Sequence, residues 1–314
     1  MTTLAILGPT ASGKTALSLD LATRFNANIL SLDSLSIYKE IDIASAKPTR
    51  EERGSITHFG IDEIYPNENF NVSLYFDIYK EAKERSIKES KDLIIVGGTG
   101  FYLKSLLYGL SKKPKISQQS RDEVSKMMQD LNQAYEVMRK NDPKYAQKIS
   151  SNDSYRIEKW LEIFIQSGQN ASTYFKKNQQ KPLIDDIIPL FNIKVPKDYL
   201  LTRVSKRTHE MVKHGLIDEV VYLEKRYTRV PNALKSIGIK ETLAYLDGLY
   251  TKNELEENIT ANTLKLAKRQ RTFNQTQFQN IYKGTLEEIT KKVAEVFNAD
   301  SYSQHKEISK HSRL

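Results

Sequence analysis

The opening hundred residues alternate short apolar runs with stretches whose apolar positions recur every three or four residues. Residues 4–7 form an uninterrupted apolar run ending in a glycine-bearing turn, and residues 14–25 then carry Ala16, Leu17, Leu19, Leu21 and Ala22 at helical spacing. Residues 28–32 read as a second short strand and residues 72–90 as a helix with charged faces. A buried-type strand follows at Leu93-Ile94-Ile95-Val96, stopped by Gly97-Gly98, and residues 101–110 regain helical spacing through Leu103, Leu106, Leu107 and Leu110. This alternation predicts an α/β fold: a parallel sheet with helices on both faces.

From Ser111 the texture changes. A polar linker with Pro114 (111–119) leads into helical patterns at 121–140, 143–148 and 153–166, the last closed by Gly168. The polar stretch 169–182 separates these from the strand-like 184–195, after which helical spacing returns at 197–226, 238–246 and 254–282. The pattern predicts a core in two parts, 1–114 and 183–299, interrupted by a small all-helical insertion domain at 115–182 and followed by a polar, mobile tail at 300–314.

Composition narrows the classes. With 314 residues, 39% of them hydrophobic, the chain can bury one large core or two modest ones. No apolar run approaches the roughly 18 residues a membrane helix needs, so a cytoplasmic protein without a membrane partner is expected. The lack of cysteine excludes disulfides, thiolate metal sites and cysteine nucleophiles. The five histidines offer no ligand spacing: the nearest pair, His209 and His214, fall on different helix faces.

Charge adds a hint. The chain holds 48 Lys+Arg against 39 Asp+Glu; residues 1–110 contain 12 basic and 14 acidic side chains, which leaves 36 and 25, a net +11, for the remainder. A polyanion such as nucleic acid would account for this asymmetry, and so would a solvated lysine-rich surface.

The strongest motif is Gly8-Pro9-Thr10-Ala11-Ser12-Gly13-Lys14-Thr15, which matches the phosphate-loop pattern G-x-x-x-x-G-K-[ST] between a predicted strand and a predicted helix. The glycines let successive N–H groups point into one concavity, the helix directs its positive end there, Lys14 adds a charge and Thr15 offers a hydroxyl to Mg²⁺. The loop alone leaves open whether the phosphate belongs to a nucleotide. Asp33 ends the second strand on the side where the loop opens; it can take a proton or hold a metal, or it can be an ordinary turn aspartate. Gly97-Gly98-Thr99-Gly100 is another backbone-rich strand end, equally explained as a tight turn with Thr99 as helix cap. Tyr102 and Tyr108 read as packing residues, and Lys47 as a loop lysine. Lys265, Lys268, Arg269 and Arg271 crowd one predicted helix and can neutralise phosphates or form a solvated face. Arg203 and Arg207, four apart, can grip a pyrophosphate or form salt bridges.

Together these motifs resemble one family, the tRNA dimethylallyltransferases (isopentenyl pyrophosphate:tRNA transferases). The likeness covers nearly the whole chain and rests on Gly8 to Thr15, Asp33-Ser34, Ala46-Lys47-Pro48, Val96 to Gly100 with Tyr102, Asn152-Asp153 with Arg156, Ile237-Gly238 with Lys240-Glu241, and Ala267-Lys268-Arg269-Gln270. The resemblance implies a P-loop NTPase-like core with a helical insertion that helps clamp the tRNA anticodon stem-loop. It further implies transfer of a dimethylallyl group from dimethylallyl diphosphate to N6 of the adenosine just 3′ of the anticodon, in tRNAs reading codons that begin with U; a monomer is expected. On this pattern the P-loop holds the donor's diphosphate rather than ATP, with Mg²⁺ at Thr15. Arg207 supports the leaving group, Thr10 binds near its oxygens, and Asp33 accepts the proton of N6. The tRNA side would involve Asp33, Ser34, Leu35, Ser36, Lys47, Thr99, Arg121, Arg156, Lys159, Lys268 and Arg269.

Several positions depart from the family pattern. Ala44-Ser45 replaces Gly-Thr, Ile239 replaces an aromatic residue, and Thr272-Phe273-Asn274-Gln275 replaces Thr-Trp followed by an arginine. Tyr155-Arg156 stands for Gln-Arg, and Lys159 for a later arginine. Two rival functions share the loop and sheet: a small-molecule kinase, which gives no account of the basic later region, and a nucleotide-switched RNA-binding module without chemistry.

Overall fold

The computed structural model of the chain describes residues 1–111, 113–178, 181–184 and 187–311. In chain order the elements are β1 (Thr3–Leu7), α1 (Lys14–Arg24), β2 (Ala27–Leu32), α2 (Arg50–Arg53), β3 (His58–Phe59), α3 (Val72–Lys88), β4 (Asp92–Gly97) and α4 (Gly100–Tyr108). Then come α5 (Gln118–Met127), α6 (Leu131–Asn141), α7 (Pro143–Ala146), α8 (Ser154–Ser167), α9 (Ala171–Lys177) and β5 (Leu190–Ile193). The chain ends with α10 (Lys197–Lys213), α11 (Leu216–Tyr227), α12 (Ile239–Leu246), α13 (Lys252–Gln277), β6 (Tyr282–Gly284) and α14 (Leu286–His311). These elements form two compact units: residues 1–104 with 186–314, and residues 105–185. The second unit begins inside α4, earlier than the polar linker suggested.

The first unit is built on a six-stranded sheet of order β3-β2-β4-β1-β5-β6, every pair parallel. Its central strands β1 and β4 carry buried apolar runs at 4–7 and 93–96 because both faces are covered. The crossover from β1 to β2 and that from β2 to β4 run in opposite directions, so right-handed connections put α1 and α3 on opposite faces. On the α1 face, Leu17 and Leu21 meet Leu4, Ile6, Ile29, Ile94 and Phe191, joined by Ile289, Val293 and Phe297 of α14. Those last three, spaced four apart, are the apolar stripe of a helix that continues through residue 311. The helix thus runs into the segment read as a mobile tail, whose residues 312–314 lie outside the described residues.

Three predicted segments resolve differently. Residues 121–140 form two helices because Asp130 caps α6, its side chain accepting the N–H of Gln133 at 3.0 Å. Residues 197–226 break at Gly215, whose φ of 103° is left-handed. The stretch 169–182 contains α9, capped by Asn170. The strands β3 and β6 are two and three residues long, too short for any periodicity to register.

The second unit packs Val124, Ala134, Met138, Ile157, Trp160, Leu161 and Ile163 into its own core. Asp142, buried there, accepts from Trp160 Nε1 (3.2 Å), from the N–H of Ser172 (2.9 Å) and from Ser172 Oγ (2.8 Å). Asp142→Ala strands these donors and should cost about 2–3 kcal/mol. Since Trp160 is the sole tryptophan, urea unfolding followed by its fluorescence should show a midpoint lowered by about 1 M. An unchanged midpoint would mean that water replaces the carboxylate.

Candidate active site

The carboxyl ends of β1, β2 and β4 open on a cavity of about 400 Å³. This is where an open α/β sheet binds ligands. The phosphate loop lines it from Thr10 to Thr15. Ala11 and Gly13 are both left-handed (φ 61° and 92°), which curls the loop, and a Cβ on Gly13 would meet Leu286 Cδ1 at 2.9 Å. Lys14 Nζ donates back to the carbonyl of Pro9 at 2.7 Å. Burial holds the Lys14 ammonium at a pKa of about 7, far below the usual lysine range; Asp33 opposes that shift and Arg207 adds to it.

Asp33 makes a turn and also lines the cavity. Its Oδ1 accepts the N–H groups of Leu35 (2.8 Å) and Ser36 (3.2 Å), a turn role, while Oδ2 has no hydrogen-bond partner among the described residues. Asp33 and Ser36 line the cavity, and Ser34 and Leu35 border a separate pocket of about 260 Å³ with Tyr38 and Phe70. Thr99 donates its N–H to the carbonyl of Leu32 at 3.0 Å, beside Asp33. Tyr102 stacks on Tyr75 at 4.9 Å, and burial, with Asp33 nearby, pushes its phenol well above the tyrosine range.

From α10, Arg203 and Arg207 enter the same cavity. Arg203 donates to the Tyr199 hydroxyl at 2.9 Å. Arg207 makes no hydrogen bond or ion pair among the described residues; burial lowers its pKa and Asp33 works against that. The geometry thus converges Lys14, Arg203, Arg207 and a row of loop amides on one space, with Asp33 and Glu52 as the carboxylates that line it.

Lys47 also lines the cavity, but its charge is neutralised within the protein. Its side chain is 4% exposed, and the ammonium binds Asp62, Asp42 (2.6 Å) and the carbonyl of Tyr38 (3.0 Å). It therefore frames the loop at the cavity wall. The substitution at Ala44 is unstrained, because the left-handed position in this loop is Ala46 (φ 46°). Ser45 turns its hydroxyl to the carbonyl of Ile41 at 2.6 Å. The loop is anchored from α11: Glu219 accepts the N–H groups of Asp42, Ile43 and Ala44 at 2.9, 2.7 and 2.9 Å. Sequence reasoning missed Glu219, as it missed Glu52 and His58 at the rim. It also missed Gln270, whose Oε1 accepts the N–H of Thr10 at 2.8 Å. The only signal for Gln270 was its place beside Lys268 and Arg269.

Lys268 and Arg269 are exposed on α13, and Lys268 borders a different cavity, of about 650 Å³, with Lys194, Lys197 and Arg271. Arg121, Arg156 and Lys159 belong to the helical unit. Arg121 is exposed and makes no ion pair among the described residues, Arg156 pairs with Asp153 at 3.3 Å, and Lys159 sits between Glu158 (3.0 Å) and Glu162 (2.5 Å). Among the described residues no group of three or more His, Asp or Glu side chains is arranged to hold a metal, and no helix is long and apolar enough to cross a membrane.

The model of the IPP transferase family matches residues 36–277, more than half of the chain. The chain belongs to this family. It is 52% identical over 288 residues to a tRNA dimethylallyltransferase of Sulfurovum, covering 92% of this chain and 96% of that one. Among solved structures it is similar to the full-length tRNA isopentenylpyrophosphate transferase of Bacillus halodurans (TM-score 0.67, 29% identity, 97% and 99% of the two chains). It is also similar to a eukaryotic dimethylallyltransferase solved acting on tRNA (TM-score 0.73, 26% identity, 87% and 70%).

The depressed pKa of Lys14 has a measurable consequence. Above about pH 7 the buried amine is largely neutral, and an anion of high charge seated in the loop restores its proton. Binding of inorganic diphosphate should therefore take up close to one proton per site near pH 8 and weaken as pH rises further. Calorimetry in buffers of different ionisation enthalpy measures this uptake; Lys14→Met should remove it, and equal uptake by the two proteins would detach Lys14 from the anion.

Proposed function

We propose that this protein is a tRNA-modifying prenyltransferase that moves the dimethylallyl group of dimethylallyl diphosphate to N6 of the adenosine immediately 3′ of the anticodon, in tRNAs reading codons that begin with U, in the cytoplasm. The observation that carries this reading is the convergence of Lys14, Arg203 and Arg207 with the loop amides on a cavity lined at the end of β2 by Asp33, whose Oδ2 makes no hydrogen bond among the described residues. All of these groups come from one chain, which supports a monomer as the working unit.

The chemistry follows from charge. As N6 bonds to the allylic carbon, the carbon–oxygen bond to the diphosphate breaks and negative charge grows on the leaving oxygens. Loop amides, Lys14 and Arg207 are preorganised to stabilise that charge without reorganising water. Adenine N6 is a poor nucleophile because its lone pair is delocalised, so a base that takes its proton is needed; the unpartnered Oδ2 of Asp33 fits that role. Oδ1 meanwhile fixes the carboxylate through the turn. The Thr15 hydroxyl, exposed in the first turn of α1, fits Mg²⁺, which asks for few protein ligands when phosphate oxygens and waters complete its shell. Bound there, the ion neutralises diphosphate charge. The target base must leave its stack, at a cost of a few kcal/mol that phosphate contacts elsewhere offset.

The test is mass spectrometry of an anticodon stem-loop RNA with adenosine 3′ of the anticodon, incubated with the protein, Mg²⁺ and dimethylallyl diphosphate. A gain of one dimethylallyl group on that adenosine is expected; no gain with this RNA or whole tRNA would overturn the reading. Asp33→Ala should lower kcat by about 10²- to 10⁴-fold with RNA affinity near wild type. Arg207→Ala should chiefly impair use of the donor, and unchanged donor kinetics would remove it from the diphosphate site.

A further inference from the structure

One helix connects the phosphate loop with the free cations of the basic segment. On α13, Ala267 is buried against Leu200 and Val204, with Ala11 of the phosphate loop packed on the same cluster. One turn on, Gln270 Oε1 accepts the main-chain N–H of Thr10 at 2.8 Å. The other end of that amide rests on the end of β4: a Cβ built on Gly98 would lie 2.2 Å from Gln270 Nε2. A further turn on, Asn274 is fully buried and donates to Asn192 at the end of β5 at 3.4 Å. Ala267, Gln270 and Asn274 thus form a ladder at positions i, i+3 and i+7 that lies against three strand ends. Lys268 and Arg269 project from the same turns into solvent and carry no ion pair among the described residues.

We infer that Gln270 is a positioning residue. It holds Thr10 by its main-chain N–H, so that the phosphate loop and the cation-bearing helix α13 respond to their ligands as one body. Committing the Thr10 N–H to Gln270, with the Ser12 N–H already donating to the carbonyl of Pro9, leaves the amides of Ala11, Gly13, Lys14 and Thr15 for the anion and fixes where Thr10 lines the cavity. RNA phosphates gripping Lys268 and Arg269 would fix α13, and through Gln270 the loop. The inference rests on the prenyl-transfer reading only for the identity of the two ligands.

The test is isothermal titration of inorganic diphosphate into the full chain with and without a saturating anticodon stem-loop RNA. In the wild type, RNA should tighten diphosphate binding at least fivefold, the lower end of ordinary coupling. Gln270→Ala should weaken diphosphate binding about tenfold in the absence of RNA and bring the RNA effect close to one. In steady state the donor KM should rise more than kcat falls, whereas a merely structural role would lower the active fraction and kcat and leave KM and the coupling unchanged. Gly98→Ala is the independent arm, because its new Cβ displaces the Gln270 amide without removing it; it should reproduce the loss. Gln270→Glu keeps an acceptor for Thr10 and should retain the coupling while weakening diphosphate binding through its charge.

Wild-type coupling that persists in Gln270→Ala or in Gly98→Ala, or no coupling in the wild type, would overturn the proposal. Failure of the prenyl-transfer reading would instead show as no mass gain on the RNA with these binding couplings intact.

Discussion

The structure depends on holding concentrated positive charge in a half-enclosed space without neutralising it. Lys14 and Arg207 are buried enough that their charged forms are disfavoured, and no carboxylate lies within ion-pair distance of either among the described residues. Such an arrangement costs stability in the protein alone and is relieved when a multivalent anion arrives. It survives because the elements carrying it are anchored elsewhere: β1 lies inside the sheet, with β4 and β5 as neighbours, and α10 packs on α13. Strain in the site is balanced by a core that does not share it.

The opposite device operates around the site. The 42–47 loop is secured by complete neutralisation, with Lys47 held by Asp42 and Asp62, and Glu219 accepting three consecutive N–H groups. A half-buried carboxylate that accepts three main-chain donors is a strong clamp, and breaking one member would leave the others unsatisfied. The two kinds of charge are physically distinct: those that frame the cavity are paired, and those that face its ligand are not. Asp33 combines both, with one oxygen committed to the turn and one free.

Legibility followed the same divide. The phosphate loop, the buried strands and Asp33 are local patterns, each with an explanation inside a short window, and the structure bears out the parallel sheet. Short strands such as β6 escaped because three residues carry no period; α14 escaped because its apolar stripe of Ile289, Val293 and Phe297 is diluted by charged neighbours. The pairing of Lys47 was not legible because it is not local: its partner Asp62 is fifteen residues away and its other carboxylate, Asp42, belongs to the loop it closes. Gln270 was invisible as a functional residue for the same reason, since Thr10 is 260 residues distant.

The same criterion sorts the basic excess of the later region. Many of its cations are locally paired: Arg139 with Glu136, Lys159 with Glu158 and Glu162, Arg229 with Glu224 and Asp247, Lys291 with Glu287. These are exposed or half-exposed pairs, worth little for stability and poorly available to a polyanion. The cations without carboxylate partners among the described residues are spread over both units, Arg121, Lys126, Lys144 and Lys235 among them, and they include one group, Lys194, Lys197, Lys268, Arg269 and Arg271, around one end of α10 and the middle of α13. Arg203 and Arg207 lie further along α10, at the phosphate cavity. Solvation accounts for the scattered cations but gives no reason for this group on two packed helices beside the phosphate cavity. On the proposed function, a diphosphate held at one end of this group and an RNA backbone along it would supply that reason, because each of its unpaired cations would then meet a phosphate.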